Sequence, residues 1–325
     1  MLAQHWPHLL LLLLIALVSL ITGLLLGSVS LPPASVLAVL TGEGTSLEQT
    51  LLLELRLPRV ASAFATGGLL ATAGALMQIL LRNPLADPYV LGLSGGAGVA
   101  ALLAMLAGLG SLGISSAAFA GALISTLLVF AVARGSGSWA PTRLLLTGVV
   151  LAAGWGALIS FILSTSDTHQ LPGMLYWLMG DLAQADRPLL PWLVLLLALA
   201  FLMPLGRTLN VLARGSLQAA ALGVSVVRME GLIYVLAALL TAVAVTVAGT
   251  VGFVGLLVPH LVRLLLGYDQ RLLLPASALG GGCLLVLADT LARTLMAPEQ
   301  LPVGVITALL GVPFFLLLLY RSKHL

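Results

Sequence analysis

Apolar runs in this chain are interrupted so rarely that its surface cannot be that of a water-soluble protein. Of 325 residues, 60% are hydrophobic and only 8% charged, and the mean hydropathy is +1.17. A soluble domain carries about a quarter charged residues, so most of this surface must face lipid. In hydrocarbon every backbone N–H and C=O needs an internal partner, which restricts spanning structures to helices and closed barrels. The apolar segments here run well beyond the ~10 residues of a barrel strand and show no in/out alternation. The sequence therefore predicts an all-α, polytopic helical bundle, a single transmembrane domain over residues 1–325.

Runs long enough to cross ~30 Å of hydrocarbon fall near 9–29, 57–81, 89–109, 112–133, 142–166, 189–206, 229–251, 253–267, 272–297 and 302–320. The segment 253–267 is short and carries Pro259, His260 and Arg263, so it reads as a distorted span buried among other helices. Lys and Arg are retained on the cytoplasmic side of short loops. With both termini inside, Arg82, Arg134, Arg143, Arg207, Arg214, Arg228, Arg263, Arg271, Arg321 and Lys323 are cytoplasmic, against Arg56, Arg59, Arg187 and Arg293 outside, 10 to 4. Glu43, Glu48, Glu54, Asp167, Asp181, Asp186 and Glu299 collect on the outer side. The net charge of +3 thus reflects orientation in a bilayer, and no nucleic-acid partner is expected.

The first apolar run extends too far for a secretory signal and is read as a retained span. Cys283 is the single cysteine, which excludes an intramolecular disulfide or a cysteine-built metal site. A P-loop needs a lysine after its glycine turn, and the one lysine is Lys323. No cofactor or nucleotide site is expected on this chain. Ion-coupled transporters keep carboxylates near the midplane, whereas here Asp289 alone reads as intramembrane. Coupling energy must then come from another subunit.

The segment 206–228 is the longest cytoplasmic connection. Ser216 reads as an N-cap, Leu217, Ala220 and Ala221 as one face of a short helix, and Gly223 as its end. Such a helix either lies on the membrane surface or inserts into a groove on a partner.

Six strings, in order, resemble one family. They are Arg56-Leu-Pro-Arg59; Gln78 with Arg82-Asn-Pro-Leu-Ala-Asp-Pro88; Leu91-Gly-Leu-Ser-Gly-Gly-Ala97; Tyr176-Trp-Leu-Met-Gly180; Gly252-Phe-Val-Gly-Leu-Leu-Val-Pro-His260; and Leu301-Pro-Val-Gly-Val305. Together they are similar to the iron-siderophore, haem and cobalamin permeases of type II ABC importers. The resemblance implies a homodimer in the bacterial inner membrane with a path along the dimer axis. It also implies two cytoplasmic ATPase subunits that bind the ATP, and a periplasmic binding protein.

In that family the 206–228 loop supplies the coupling helices, here Arg214, Gly215, Ser216, Leu217, Ala220, Ala221 and Gly223. Relatives often have an acidic residue where this chain has Ser216. Asn83 and Leu85 match one cytoplasmic gate, Pro141 and Thr142 the other, with Pro141 departing from the usual hydroxyl residue. Read without the family, Asn83-Pro84 is a loop that stops one helix and caps the next.

Span 142–166 offers Thr147, Gly148, Ala152, Gly156 and Ser160 as small residues that line a lumen or let helices pack. Beyond Arg143 it carries no charge, which suits a substrate held by shape. The resemblance is nearest to the cobalamin branch, so cobalamin ranks before haem and ferric siderophore. Arg56, Arg59 and Arg293 match positions that meet glutamates of the binding protein. The alternative pairs Arg56 with Glu54 and Arg293 with Asp289 internally, or lets the arginines snorkel. A different class, intramembrane serine proteolysis, rests on Gly92-Leu-Ser-Gly95 with His260 as base. Four-residue matches are common in a chain with 35 glycines.

The charge asymmetry generates a test of orientation. In a Cys283→Ala background, Ser216→Cys and Ser46→Cys should label oppositely with an impermeant thiol reagent on intact spheroplasts. Labelling of the Ser216 position from outside would reverse the topology.

Overall fold

A computed structural model describes residues 2–133 and 141–321, and among them the regular structure is entirely helical. In chain order the elements are α1 Leu2–Leu25, α2 Pro33–Thr41, α3 Ser46–Gln49, a π-helical turn Thr50–Arg56, α4 Leu57–Leu80, a 3-10 turn Pro88–Leu91, α5 Leu93–Leu106, α6 Ser111–Ala133 and α7 Pro141–Thr165. Then come α8 Leu171–Met179, α9 Leu189–Ala213, α10 Ser216–Ala221, α11 Val226–Ala248, α12 Val254–Leu266, α13 Gln270–Thr294 and α14 Val303–Arg321. Of the expected cytoplasmic cations, Arg134 and Lys323 lie outside the described residues.

A helix occupies every predicted span, but among the described residues seven are long and apolar enough to cross a membrane. These are α1, the continuous Ser46–Leu80 run, α6, α7, α9, α11 and α13. Shorter apolar helices, Leu93–Leu106, Val254–Leu266 and Val303–Leu317, stand where the third, eighth and tenth spans were expected. The third is shortened because Asp87 caps a 3-10 turn and Gly92 follows at φ 68°, so α-helix begins only at Leu93. The eighth is shortened by a break at Gly249–Phe253. Its 13 residues span about 20 Å at 1.5 Å per residue. The sixth span runs longer than expected: α9 continues to Ala213, so the connection to α11 is only residues 214–225.

The centre of the bundle is α4, whose most apolar window is 94% buried. Lipid is as apolar as leucine, so helices there gain from close van der Waals approach, which small residues permit. A Cβ on Gly67 would stand 2.1 Å from the Gly281 carbonyl oxygen, and one on Gly74 would stand 1.8 Å from that of Gly255. Pro259 leaves the Gly255 carbonyl without its usual N–H donor. The glycine contact lets it lie against the backbone of α4 instead. Gly96 and Gly121 fasten α5 to α6 in the same way.

The break between α11 and α12 exposes backbone that water cannot satisfy. Its groups find partners from three directions. The Asp181 N–H donates to Ala248 O at 2.9 Å, the Thr250 hydroxyl donates to Leu178 O, and the Val251 N–H donates to Tyr89 Oη at 3.2 Å. Phe253 ends the break at φ 69°, with its side chain packed against Gly311 of α14.

The bundle has two ends. At one, Arg82 pairs with Glu230 and Asn210 with Asp269, joining the end of α4 to the start of α11 and the end of α9 to the start of α13. At the other, Arg56 and Arg293 reach the C-terminus of α1.

Gly67→Ala should force α4 and α13 apart and cost about 1–3 kcal/mol, the usual range for overpacking. Gly154→Ala on α7, whose Cβ would meet no atom within 4 Å, should leave thermal unfolding in detergent unchanged.

Candidate functional site

At the Arg56 end, three guanidinium groups surround one carboxylate. Asp289, 1% exposed, accepts from Arg59 Nε and Nη2 at 3.0 and 2.8 Å and forms an ion pair with Arg293, whose Nε lies 2.9 Å from Oδ2. Arg59 Nη1 donates to Gln300 Oε1 at 2.8 Å. Arg56 does not pair with Glu54, which is exposed. It donates to the carbonyls of Leu24 and Leu25 at 2.8 and 2.9 Å and to Val29 O, and Arg293 Nη2 reaches Gly23 O at 3.1 Å. The last carbonyls of a helix have no intrahelical donor and carry partial negative charge, so cations suit them. The pairing of Arg293 with Asp289 follows the alternative of internal pairing, while Arg59, taken as a docking residue, is the stronger partner of that carboxylate.

All three arginines nevertheless line one cavity of about 260 Å³, together with Gly27, Leu51 and Gln300. Three cations against one carboxylate leave it positive.

At the opposite end, Arg82 adopts φ 47° and donates to buried Glu230 at 3.2 Å. Asp289 is therefore not the only buried intramembrane carboxylate. Arg263 donates to Gln78 Oε1 at 2.8 Å, and Gln78 Nε2 donates to Leu256 O at 3.1 Å, next to the carbonyl that Pro259 frees. Asn83 Oδ1 accepts from the Leu85 N–H at 2.9 Å, the loop-forming turn expected of Asn-Pro. Asp87 Oδ1 accepts from the Tyr89 N–H at 2.8 Å, and burial pushes its carboxyl up to about 6. Asp269 is held well below the usual carboxylate range by the Arg271 guanidinium, at 2.7 Å. Thr142 is exposed at the start of α7, and of Pro141 only the backbone is described.

The short helix α10 departs from expectation at its start. Gly215, at φ 129°, is the N-cap, Ser216 is the first helical residue, and no side chain caps the helix. Only glycine adopts that φ readily, so the serine is not needed. Gly223 ends the helix as expected, at φ 81°, its N–H donating to Ala220 O while the Val224 N–H reaches Ala219 O. Ala219 is fully buried and anchors the helix. Leu217 is 87% exposed and Leu222 70%, and Arg214, Ala220 and Ala221 are exposed beside them. Such a patch of exposed apolar residues suits contact with either a protein partner or the membrane surface.

Along α7 the small residues divide. Ala152, Gly156 and Ser160 lie exposed, and Thr147 is half-buried. Gly148 is buried, its carbonyl 3.3 Å from where a Cβ on Gly92 would stand, so it serves packing against α5.

A family model described as the FecCD transport family matches residues 12–321. The chain belongs to that family. It is 45% identical over 273 residues to the cobalamin import system permease of Halobacterium salinarum, an alignment covering 82% of this chain and 72% of that one. To the hemin transport system permease of Yersinia pestis it is 44% identical, covering 84% of each. To the vitamin B12 import system permease of Vibrio vulnificus it is 40% identical, covering 92% and 89%. A solved metal-chelate type ABC transporter in an inward-facing conformation superposes with TM-score 0.82 at 31% identity, covering 96% and 97%. The chain is thus an ABC importer permease, an integral multi-pass membrane protein, and its relatives are transport subunits.

Nothing supports a proteolytic site. His260 is buried with Nδ1 unbonded, and among the described residues no hydrogen bond joins it to Ser94, half-buried on α5. Glu230 was missed in the sequence although a carboxylate in an apolar span is itself a signal. The Arg59–Asp289 pair joins residues 230 positions apart and leaves no local trace.

Asp289→Asn should leave two buried guanidinium groups without their counterion and cost about 3–5 kcal/mol. Glu54→Gln, at an exposed site, should be neutral. Thermal unfolding of the detergent-solubilised permease measures both.

Proposed function

We propose that this permease imports cobalamin from periplasm to cytoplasm as a homodimer in the bacterial inner membrane, driven by two cytoplasmic ATPase subunits and supplied by a periplasmic binding protein. The observation that carries the reading is an arginine-lined cavity at one end and the exposed apolar helix α10 at the other, with a face of α7 between them that bears no titratable group beyond Arg143. The exposed face of α7 around Ala152, Gly156 and Ser160 would form the wall of the path, each copy contributing one side. An uncharged wall lets a bulky solute pass without a tight polar hold.

The Arg82 end faces the cytoplasm, as the 10-to-4 distribution of cations favours. There Leu217, Ala220 and Ala221 of α10, flanked by Arg214, Gly215, Ser216 and Gly223, dock the ATPase. Loop residues Asn83 and Leu85 and the α7 start at Pro141 and Thr142 close the path. The Arg56 end faces the periplasm. Its cavity takes a carboxylate of the binding protein, because Arg56 is satisfied by neutral carbonyls alone and keeps an uncompensated charge beside the Arg59–Asp289–Arg293 cluster. That surface is a socket lined by arginines already held in place. Cobalamin permeases stand among the relatives at 45% and 40% identity. The hemin permease at 44% supports haem as the second reading.

The complete complex in proteoliposomes tests this. With the matching binding protein, cyanocobalamin should stimulate ATP hydrolysis and be taken up, and hemin or a ferric siderophore should do neither. Stimulation by hemin alone would install the second reading. Leu217→Asp should strip the ATPase from the permease, since a charge on a docked apolar face is left desolvated. Co-purification of a full complement of ATPase with that variant, together with normal transport, would remove α10 as the docking element.

A further inference from the structure

The helix break at Gly249–Phe253 is touched from both ends of the bundle, and the two sets of contacts meet within three residues. From the Arg82 end comes the turn that follows Asn83 and Leu85. Its Pro88 ring lies 2.9 Å from where a Cβ on Gly255 would stand, and its Tyr89 Oη accepts the Val251 N–H at 3.2 Å. Tyr89 is itself fixed at its base, its N–H on Asp87 Oδ1 at 2.8 Å and its carbonyl accepting from Gly92 N–H at 2.9 Å. Its ring packs against both the main core around α4 and the separate cluster of α5, α6 and α11.

From the Arg56 end comes α8. The Thr250 hydroxyl donates to Leu178 O, the Asp181 N–H donates to Ala248 O at 2.9 Å, and a Cβ on Gly249 would stand 2.3 Å from Trp177 O. The α14 N-terminus closes the same junction, its Val303 N–H donating to Gly180 O at 2.9 Å. With no side-chain Cβ at 249, 180 or 304, backbones are in direct contact, and displacement of one strip displaces the others.

We propose that Tyr89 is a positioning residue that ties the cytoplasmic gate turn to the outer helix α8 through the Val251 N–H and the Thr250 hydroxyl, so that the two ends of the path change state together. The proposal rests on the transporter reading above. One aromatic hydroxyl is well suited to the task. The Val251 N–H has no helical carbonyl to return to, so parting from Tyr89 strands a donor in hydrocarbon. The contact therefore holds or breaks as a unit and does not slacken gradually.

The test uses the complete complex in a Cys283→Ala background with one reporter at a time, Leu85→Cys on the gate turn or Leu175→Cys on the exposed side of α8. Thiol-modification rates are measured with and without ATP. In the parent, ATP should change the rate at both positions. Tyr89→Phe keeps the ring and its packing but removes the acceptor. The Leu85 position should still respond, while the response at Leu175 should fall about fivefold, within the range such couplings carry. Thr250→Val, which cuts the next bond along, should give the same split. Parallel responses in both variants, or equal loss at both positions as a merely loosened bundle would give, would overturn the link. A parent that does not respond to ATP at either position overturns the transporter reading and the link with it.

Discussion

Hydrocarbon gives helices no reward for hiding leucine, so the close approach of backbones around α4 is the contact on which the rest of the molecule depends. Gly67 meets Gly281 and Gly74 meets Gly255 at separations that a methyl group would forbid. These approaches place α13 and α12 against opposite stretches of one helix and bring Gln78 within reach of Leu256 O and Arg263. They also carry the cluster of ends. Asp289 on α13 meets Arg59 on α4 because the Gly67–Gly281 approach holds the two helices together two turns away. Loss of the glycine contact would therefore disturb the charge cluster some turns away before it exposed any core.

The buried charges obey a simple economy of position. Each sits near an end of the bundle and each has a partner of opposite sign or a row of carbonyls. Asp289 holds two arginines, Glu230 holds Arg82, and Arg56 closes the C-terminus of α1. A buried ion pair is weak support for stability in itself but very costly to halve. At the Arg56 end these contacts hold the arginine side chains in fixed positions, so the proposed docking of a partner would cost little side-chain entropy there. At the Arg82 end the Arg82–Glu230 pair ties the end of α4 to the start of α11, immediately beyond α10, and Arg271–Asp269 forms a second pair at the start of α13.

Much of this was legible in the sequence, for physical reasons that vary by residue. Apolar runs report burial in lipid regardless of tertiary detail, so all ten helical segments stand where the runs lie. Their lengths were not legible at 89–92 and 249–253, because a break inside an apolar run changes backbone hydrogen bonding without changing hydropathy. Gly223 was readable as a helix end from its chemistry. Ser216 was misread as a cap because the preceding Gly215 adopts a φ that needs no serine. The exposed face of α10 followed from its short apolar pattern, whereas Gly148, counted with the lining residues, is occupied by contact with α5. The arginines stood out in the sequence because the expected orientation sets them apart from the other cations. That Arg59 finds Asp289 depends on residues 230 positions apart, and local pattern holds no record of that.

Both ends are charged and committed to contacts, and between them the exposed face of α7 beyond Arg143 carries no titratable group. On the proposed reading, a path along that face holds a solute weakly, which leaves selectivity to the proposed binding protein and direction to the proposed ATPase. What the membrane subunit must add is agreement between its ends. A chain of thirteen-residue and nine-residue helices meeting at a break supplies it better than ten uninterrupted spans would, because full-length helices slide and tilt independently. In this fold the shortened elements α8 and α12 meet at Gly249–Phe253, where unsatisfied backbone is not tolerated, and the cost of leaving any of those groups unpaired keeps the two ends in step.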